Sequence, residues 1–200
     1  MQYIFLALIV AGTLLHVILK LKKPEIKKAP PVGSTDSVAQ VMCGGIDKIS
    51  PKKYNYDGIS DCQAASQLFG GPKNCSYGCF GLASCADACP EGAIHIIGGI
   101  AAVDRAKCNG CGKCISACPK GIIELIPRSA RYWVGCSYCG QTPNTEGCCE
   151  IGCNGCADCV TVCTQNAIAI KNGRAHIDYE LCVSCGACAD ICKRKSIWKL

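Results

Sequence analysis

Four cysteine runs of related spacing, β-compatible residues between them and an apolar N-terminal stretch predict an α+β chain. It would carry a transmembrane helix followed by two tandem copies of a small cluster-binding unit. Of 200 residues, 22 are cysteine, far above the share in ordinary globular chains. Three Phe and two Trp leave little for a conventional apolar core. Disulfides, zinc or iron–sulfur clusters must therefore hold the fold together. A formal charge of +6 would suit an anionic partner. A thiolate-bound [4Fe–4S] cluster carries about −2, so about four clusters bring the balance to roughly −2 and argue against nucleic acid as a partner.

Tyr3 to Leu19 is a largely apolar run with His16 as its one titratable side chain. About 17 residues is the short end of what spans a bilayer. No Lys or Arg precedes the run, whereas Lys20, Lys22, Lys23, Lys27 and Lys28 follow it. This predicts a signal anchor over 1–20, single-pass in the cytoplasmic membrane, with the rest of the chain on the cytoplasmic side. A cleaved signal peptide would want a basic n-region and a small-residue cleavage site, and neither is evident. A reducing cytoplasm favours metal binding over disulfides. Residues 21–40, rich in Lys, Pro and small polar residues, read as a tether with no fold of its own.

The spacing Cys108-x2-Cys111-x2-Cys114-x3-Cys118-Pro119 matches the run of bacterial ferredoxins. Three closely spaced thiolates wrap one cube, Gly110 and Gly112 let backbone amides approach the sulfurs, and the fourth cysteine reaches a second cluster. Cys153, Cys156, Cys159 and Cys163 repeat the offsets, as do Cys182, Cys185, Cys188 and Cys192; Thr164 and Lys193 replace the closing proline. The remaining copy is altered. Aligning 75–89 with 149–163 puts Leu82 where Cys156 stands, and leucine does not ligate iron. Cys75 is the natural substitute, giving Cys75, Cys79, Cys85 and Cys89.

Crossed ligation then predicts four [4Fe–4S] clusters. In the first unit the quartets are Cys75, Cys79, Cys85, Cys118 and Cys89, Cys108, Cys111, Cys114. In the second they are Cys153, Cys156, Cys159, Cys192 and Cys163, Cys182, Cys185, Cys188. Between the runs, AIHII, IAAVD, IIELI, AIAI, RAHID and SIWKL read as short strands. This loop–helix–hairpin rhythm occurs twice. It predicts two bacterial-type two-[4Fe–4S] ferredoxin units, 41–127 and 128–200, from an internal duplication of about 90 residues.

Cys43, Cys62, Cys136, Cys139, Cys148 and Cys149 remain. Cys136-x2-Cys139 with Cys148 and Cys149 would make an extra iron–sulfur or zinc site. The plainer reading is duplicated remnants buried as small hydrophobes. Cys43 and Cys62 are too few for a site without a borrowed ligand such as Cys75.

The anchor, the phrase YDGISDCQAAS (56–66), the phrase GGPKNCSYGCFGLASCADACPEGAI (70–94) and the second ferredoxin pair resemble the B component of the Rnf electron-transport complex. The resemblance implies an electron-carrier subunit of a membrane complex that couples electron flow between reduced ferredoxin and NAD+ to Na+ or H+ translocation. It implies soluble ferredoxin as donor and other membrane subunits as partners, with the ion path and flavins in those subunits. That family usually has a further four-cysteine domain of the form CGxCGxxGC after the anchor, where this sequence has the Lys/Pro tether.

No Gly-rich loop of dinucleotide type follows a strand, so no NAD or flavin site is expected; Gly44–Gly45 and Gly70–Gly71 lack the pattern. His95 and His176 read as surface strand positions, and Arg105, Lys113, Lys193, Arg194 and Lys195 as solvated charge. Electron transfer without substrate chemistry is the expected role. Subunits of hydrogenases or molybdenum enzymes share the cysteine runs but usually lack this anchor and the SYGC phrase. A non-redox metal-binding protein fits less well, because zinc sites use separated ligand pairs.

Overall fold

The computed structural model describes residues 36–138 and 148–200, so the expected anchor and most of the tether lie outside the described residues. Among those described, no helix is long and apolar enough to cross a membrane. In chain order the first half runs β1 (Ser37–Val41), α1 (Cys62–Gln67), α2 (Ser84–Asp87), β2 (Ile94–Ile97), β3 (Ile100–Val103), α3 (Lys113–Ala117) and β4 (Ile123–Pro127). The second half runs β5 (Tyr132–Val134), α4 (Asp158–Thr161), β6 (Ile168–Lys171), β7 (Arg174–Ile177), α5 (Ala187–Ile191) and β8 (Ile197–Lys199). Two ferredoxin-type domains of mixed helix and strand are thus present, each a pair of antiparallel two-stranded sheets: β1–β4 with β2–β3, and β5–β8 with β6–β7.

The six strand segments expected from sequence fall on β2, β3, β4, β6, β7 and β8. Ile- and Val-rich stretches of this length fit a half-buried pleat. The inner hairpins close on two-residue turns with positive φ at both positions, Gly98–Gly99 (59° and 80°) and Asn172–Gly173 (50° and 78°). Only Gly and Asn enter such turns cheaply. The cluster loops cross these turns at close range. A Cβ on Gly81 would stand 2.4 Å from the Gly99 carbonyl oxygen, and one on Gly155 would stand 2.7 Å from that of Gly173. The duplication therefore extends to the backbone approach between loop and hairpin.

β1 corrects the expected tether. Ser37 to Val41 are all buried and pair in register with Pro127 to Ile123, so chain with a fold of its own begins before Gln40. Composition could not show this, because the partner strand lies at the far end of the unit. β5 arises the same way, from Tyr132, Trp133 and Val134 against Lys199, Trp198 and Ile197.

Each unit has its own core, and in both the cysteines are part of it. Cys79, Cys85 and Cys114 are buried with Val41, Ile94 and Ile123 in the first; Cys153, Cys159 and Cys188 with Val134, Ile168 and Ile197 in the second. The units are stitched together by backbone and side chain. Gly44 N donates to Gly135 O (2.9 Å), Glu150 N to Ile49 O (3.1 Å) and Ser137 Oγ to Met42 O (2.7 Å), and Arg174 pairs with Glu124 at 3.1 Å.

Candidate iron–sulfur centres

The short helices place the thiols. Each of α2 to α5 starts after a residue in the left-handed region (Ala83, Gly112, Ala157, Gly186), which turns the preceding loop so that the third cysteine of each run points inward at the first turn. Cys85, Cys114, Cys159 and Cys188 are accordingly buried, whereas Cys156 and Cys185 in the loops are exposed. In the second unit one cavity is lined by Cys153, Cys156, Cys159 and Cys192, and another by Cys163, Cys182, Cys185 and Cys188. In the first unit Cys114 lies within electrostatic reach of Cys108, Cys111 and Cys89. These three groupings are the quartets expected from crossed ligation.

Backbone amides aim at the sulfurs in matching positions of both units. Ala101 N reaches Cys79 Sγ and Ala175 N reaches Cys153 Sγ, both at 3.4 Å. Ala93 N reaches Cys89 Sγ at 3.4 Å, and Ala167 N reaches Cys163 Sγ at 3.3 Å. Ser196 N donates to Cys192 Sγ (3.3 Å) and Ala39 N to Cys108 Sγ (3.4 Å).

The altered copy is completed differently from the sequence expectation. The cavity holding Cys79, Cys85 and Cys118 is lined by Cys62, and Cys75 is not among its lining residues. Cys62 opens α1, whose N-cap Asp61 accepts from Ala64 N (2.7 Å) and from Ser84 Oγ (3.0 Å), while Ser84 Oγ accepts from Cys62 N (2.7 Å). Ser84 opens α2, so this three-way bond fixes Cys62 beside the run that lacks a cysteine at Leu82. The signal was present in the sequence as an Asp–Cys pair opening a short helix, but nothing local said where that helix docks.

Cys75 stands instead with Cys43, Cys136 and Cys149 around a further cavity. Of the extra set expected from sequence, Cys136, Cys139, Cys148 and Cys149, this cavity brings together Cys136 and Cys149. Cys148 does not line the cavity, and its carbonyl accepts from Ser50 Oγ at 3.3 Å. Cys139 lies outside the described residues. Two of the expected solvated charges are in fact structural. Arg105 donates to the carbonyls of Pro127 (3.2 Å) and Arg128 (2.9 Å), and Arg194 to those of Gly152 (3.1 Å) and Cys149 (2.9 Å). His95 is exposed as expected, but His176 is half-buried and burial lowers its pKa.

The donor sets fit an iron–sulfur cube better than a single ion. Among the described residues, no three His, Cys, Asp or Glu side chains come close enough to share one metal ion. The thiols ring cavities rather than converging on one point. A tetrahedral zinc site needs four sulfurs about 2.3 Å from one point, whereas a cube spreads its ligands around a larger body. Burial pushes the thiols of Cys79, Cys114, Cys159 and Cys188 up to about 11 and that of Cys85 up to about 12. Such groups give up their protons when a metal replaces them.

Residues 100–123 match the family model of a 4Fe-4S binding domain, and residues 152–197 that of a 4Fe-4S dicluster domain. The chain is 42% identical over 168 residues to the B component of the proton-translocating ferredoxin:NAD(+) oxidoreductase complex of Clostridium ljungdahlii, covering 84% of this chain and 58% of that protein. It is 37% identical over 158 residues to the B component of the ion-translocating oxidoreductase complex of Methanosarcina acetivorans (78% and 60% covered). It is 39% identical over 162 residues to the B component of the Na(+)-translocating ferredoxin:NAD(+) oxidoreductase complex of Acetobacterium woodii (80% and 48%). The chain thus spans about half to three-fifths of the length of these curated relatives. The two matches make it a [4Fe–4S] protein with two ferredoxin-type domains, similar over about four fifths of its length to B components of ion-translocating electron-transport complexes.

Proposed function

We propose that this chain is an electron-carrying subunit of an Rnf-type membrane complex, taking electrons from reduced soluble ferredoxin and passing them along paired [4Fe–4S] clusters. The observation that carries this reading is the crossed arrangement of the thiols. Cys118 from the second run closes the ring begun by Cys79 and Cys85, and Cys85 lies within electrostatic reach of Cys114 in the neighbouring ring. Two rings that exchange ligands in this way share a wall. A bound [4Fe–4S] cluster accepts and returns one electron without a bond to substrate being made.

The ligand quartets are Cys62, Cys79, Cys85, Cys118; Cys89, Cys108, Cys111, Cys114; Cys153, Cys156, Cys159, Cys192; and Cys163, Cys182, Cys185, Cys188. The apolar run over 1–20 anchors the two units, which meet near residue 127, to the cytoplasmic face of the membrane. The similarity to three B components of such complexes favours this role over that of a hydrogenase or molybdenum-enzyme subunit.

The test is to mix the anaerobically purified chain with reduced ferredoxin and follow visible bleaching and the EPR spectrum. Reduction by ferredoxin with coupled [4Fe–4S]+ signals is expected, and Cys111→Ala should remove about four iron per chain. Zinc in place of iron, or clusters that ferredoxin does not reduce, would sink the proposal.

A further inference from the structure

We infer that Cys43, Cys75, Cys136 and Cys149 hold an additional [4Fe–4S] cluster at the junction of the two ferredoxin units. Cys43 and Cys75 come from the first unit and Cys136 and Cys149 from the second, and among the described residues no carboxylate or imidazole lines their cavity. Every sulfur of the ring receives a backbone N–H. Cys79 N donates to Cys43 Sγ at 3.4 Å, Tyr77 N to Cys75, Tyr138 N and Cys153 N to Cys136, and Ile151 N and Gly152 N to Cys149. Amide donors of this kind support cluster thiolates and tune their potential. The same pattern recurs at the ferredoxin rings, so the junction ring is built by the same rules.

The surroundings suit a body of net negative charge. Lys73 is fully buried, its Nζ donating to Gly45 O at 2.8 Å and pairing with Asp47 at 2.9 Å, and Gly45 lines the ring. Arg194 bonds the Cys149 carbonyl from the other side. A four-thiolate cluster carries about −2 and one more negative charge when reduced; Asp47 already balances Lys73, so Arg194 beside Cys149 is the cation that would offset it. Tyr77 and Tyr138, one from each unit, also line the cavity and pack edge to face with centroids 5.4 Å apart. Such a pair limits solvent access. Backbone comes close to the ring: a Cβ on Gly45 would stand 3.3 Å from Cys149 Sγ, a tight contact.

The ring stands one residue from a ferredoxin ring on each side. The amide of Cys79 bonds Cys43 while its own sulfur lines the first-unit cavity. The amide of Cys153 bonds Cys136 while its sulfur lines the second-unit cavity. A cluster held by this ring would therefore stand between the two units, where it could take one electron from a neighbouring cluster and give one to the other.

This inference rests on the other four rings being [4Fe–4S] sites, and iron counting separates the two. The full chain is purified anaerobically, reconstituted with iron and sulfide, and assayed for iron, sulfide and zinc. About 20 iron and 20 sulfide per chain are expected, against about 16 if only the ferredoxin rings are filled. Cys136→Ser should lower iron by about one fifth and remove one EPR component, with Cys148→Ser as the control that keeps the full content. About 16 iron in the unaltered chain would overturn the inference while leaving the proposed function standing, and this count needs no variant to fold. Unchanged iron in Cys136→Ser, or one zinc per chain lost in that variant, would overturn it as well. A chain with no iron at all would instead overturn the function reading.

Discussion

The two ferredoxin units share hairpins, helix starts and amide-to-sulfur bonds, but they complete one ring by different routes. In the second unit Cys156 sits in the loop between Cys153 and Cys159, all within one short run. In the first unit Leu82 occupies that place, and the thiol arrives on α1 from a longer insertion between β1 and α2. A cluster cavity constrains where four thiols meet and not which stretch of chain supplies them. The insertion also supplies Cys75 to the junction ring. The asymmetry therefore separates a shared task, four thiols around each cavity, from the variable local sequence that performs it.

Removing the metal should have the largest effect, and should fall on both units alike. Metal-binding energy on the order of 10 kcal/mol is folding energy in domains with so little core. Anaerobic iron chelation should abolish the cooperative melting transition followed by circular dichroism. If one unit keeps its transition, its core is more self-sufficient than its composition suggests.

The next effect tests the substitution of one route for the other. Cys62→Ala should cost about four iron per chain, as Cys156→Ala should in the second unit. Adding Leu82→Cys to Cys62→Ala restores the spacing of the second unit and should return the lost iron. Failure of that rescue, with the chain folded, would mean that the loop at Leu82 does not aim at the cavity.

A smaller effect is expected at Asp47, whose pair with buried Lys73 has no equivalent described in the second unit. Asp47→Asn leaves a buried ammonium without its counter-charge. With Asp47 41% exposed, the loss should be about 2 kcal/mol, below that of a fully buried pair. Partial burial raises the Asp47 pKa, but the bonds and charges of Lys52 and Lys73 outweigh it, and the net shift is downward. A depressed carboxylate stabilises the fold above its ordinary pKa, and that contribution is lost as pH falls through the folded value. Melting curves in the acid range should therefore converge for the native chain and Asp47→Asn. Persistent separation would place the effect elsewhere.

The smallest change is expected from Asp61→Ala. It removes the cap that holds α1 against Ser84 and should speed iron loss from the first unit to a chelator, leaving the second unit's rate unchanged. Equal rates in the two units would show that Cys62 is held by other contacts.

How much was legible follows from how far apart the interacting residues lie. The spacing of the Cys108, Cys153 and Cys182 runs is a local constraint, because a tight loop around a cube needs its thiols three residues apart. The close thiols of those runs and the two inner hairpins were therefore written in short stretches of sequence, whereas amide donors such as Ala39 to Cys108 come from remote segments. The last ligand of the first ring, the strand β1 hidden at the end of an apparent tether, and the ring joining Cys43 to Cys136 were not so written. Each depends on pairing between remote segments: β1 against β4, α1 docked on α2 through Asp61 and Ser84, and the Gly44–Gly135 contact between units. The sequence by itself determined the kind of chemistry and the number of repeats, since both reside in residue type and spacing. Tertiary structure decided which cysteines share a cavity, because burial and chain pairing bring together thiols that no local period relates.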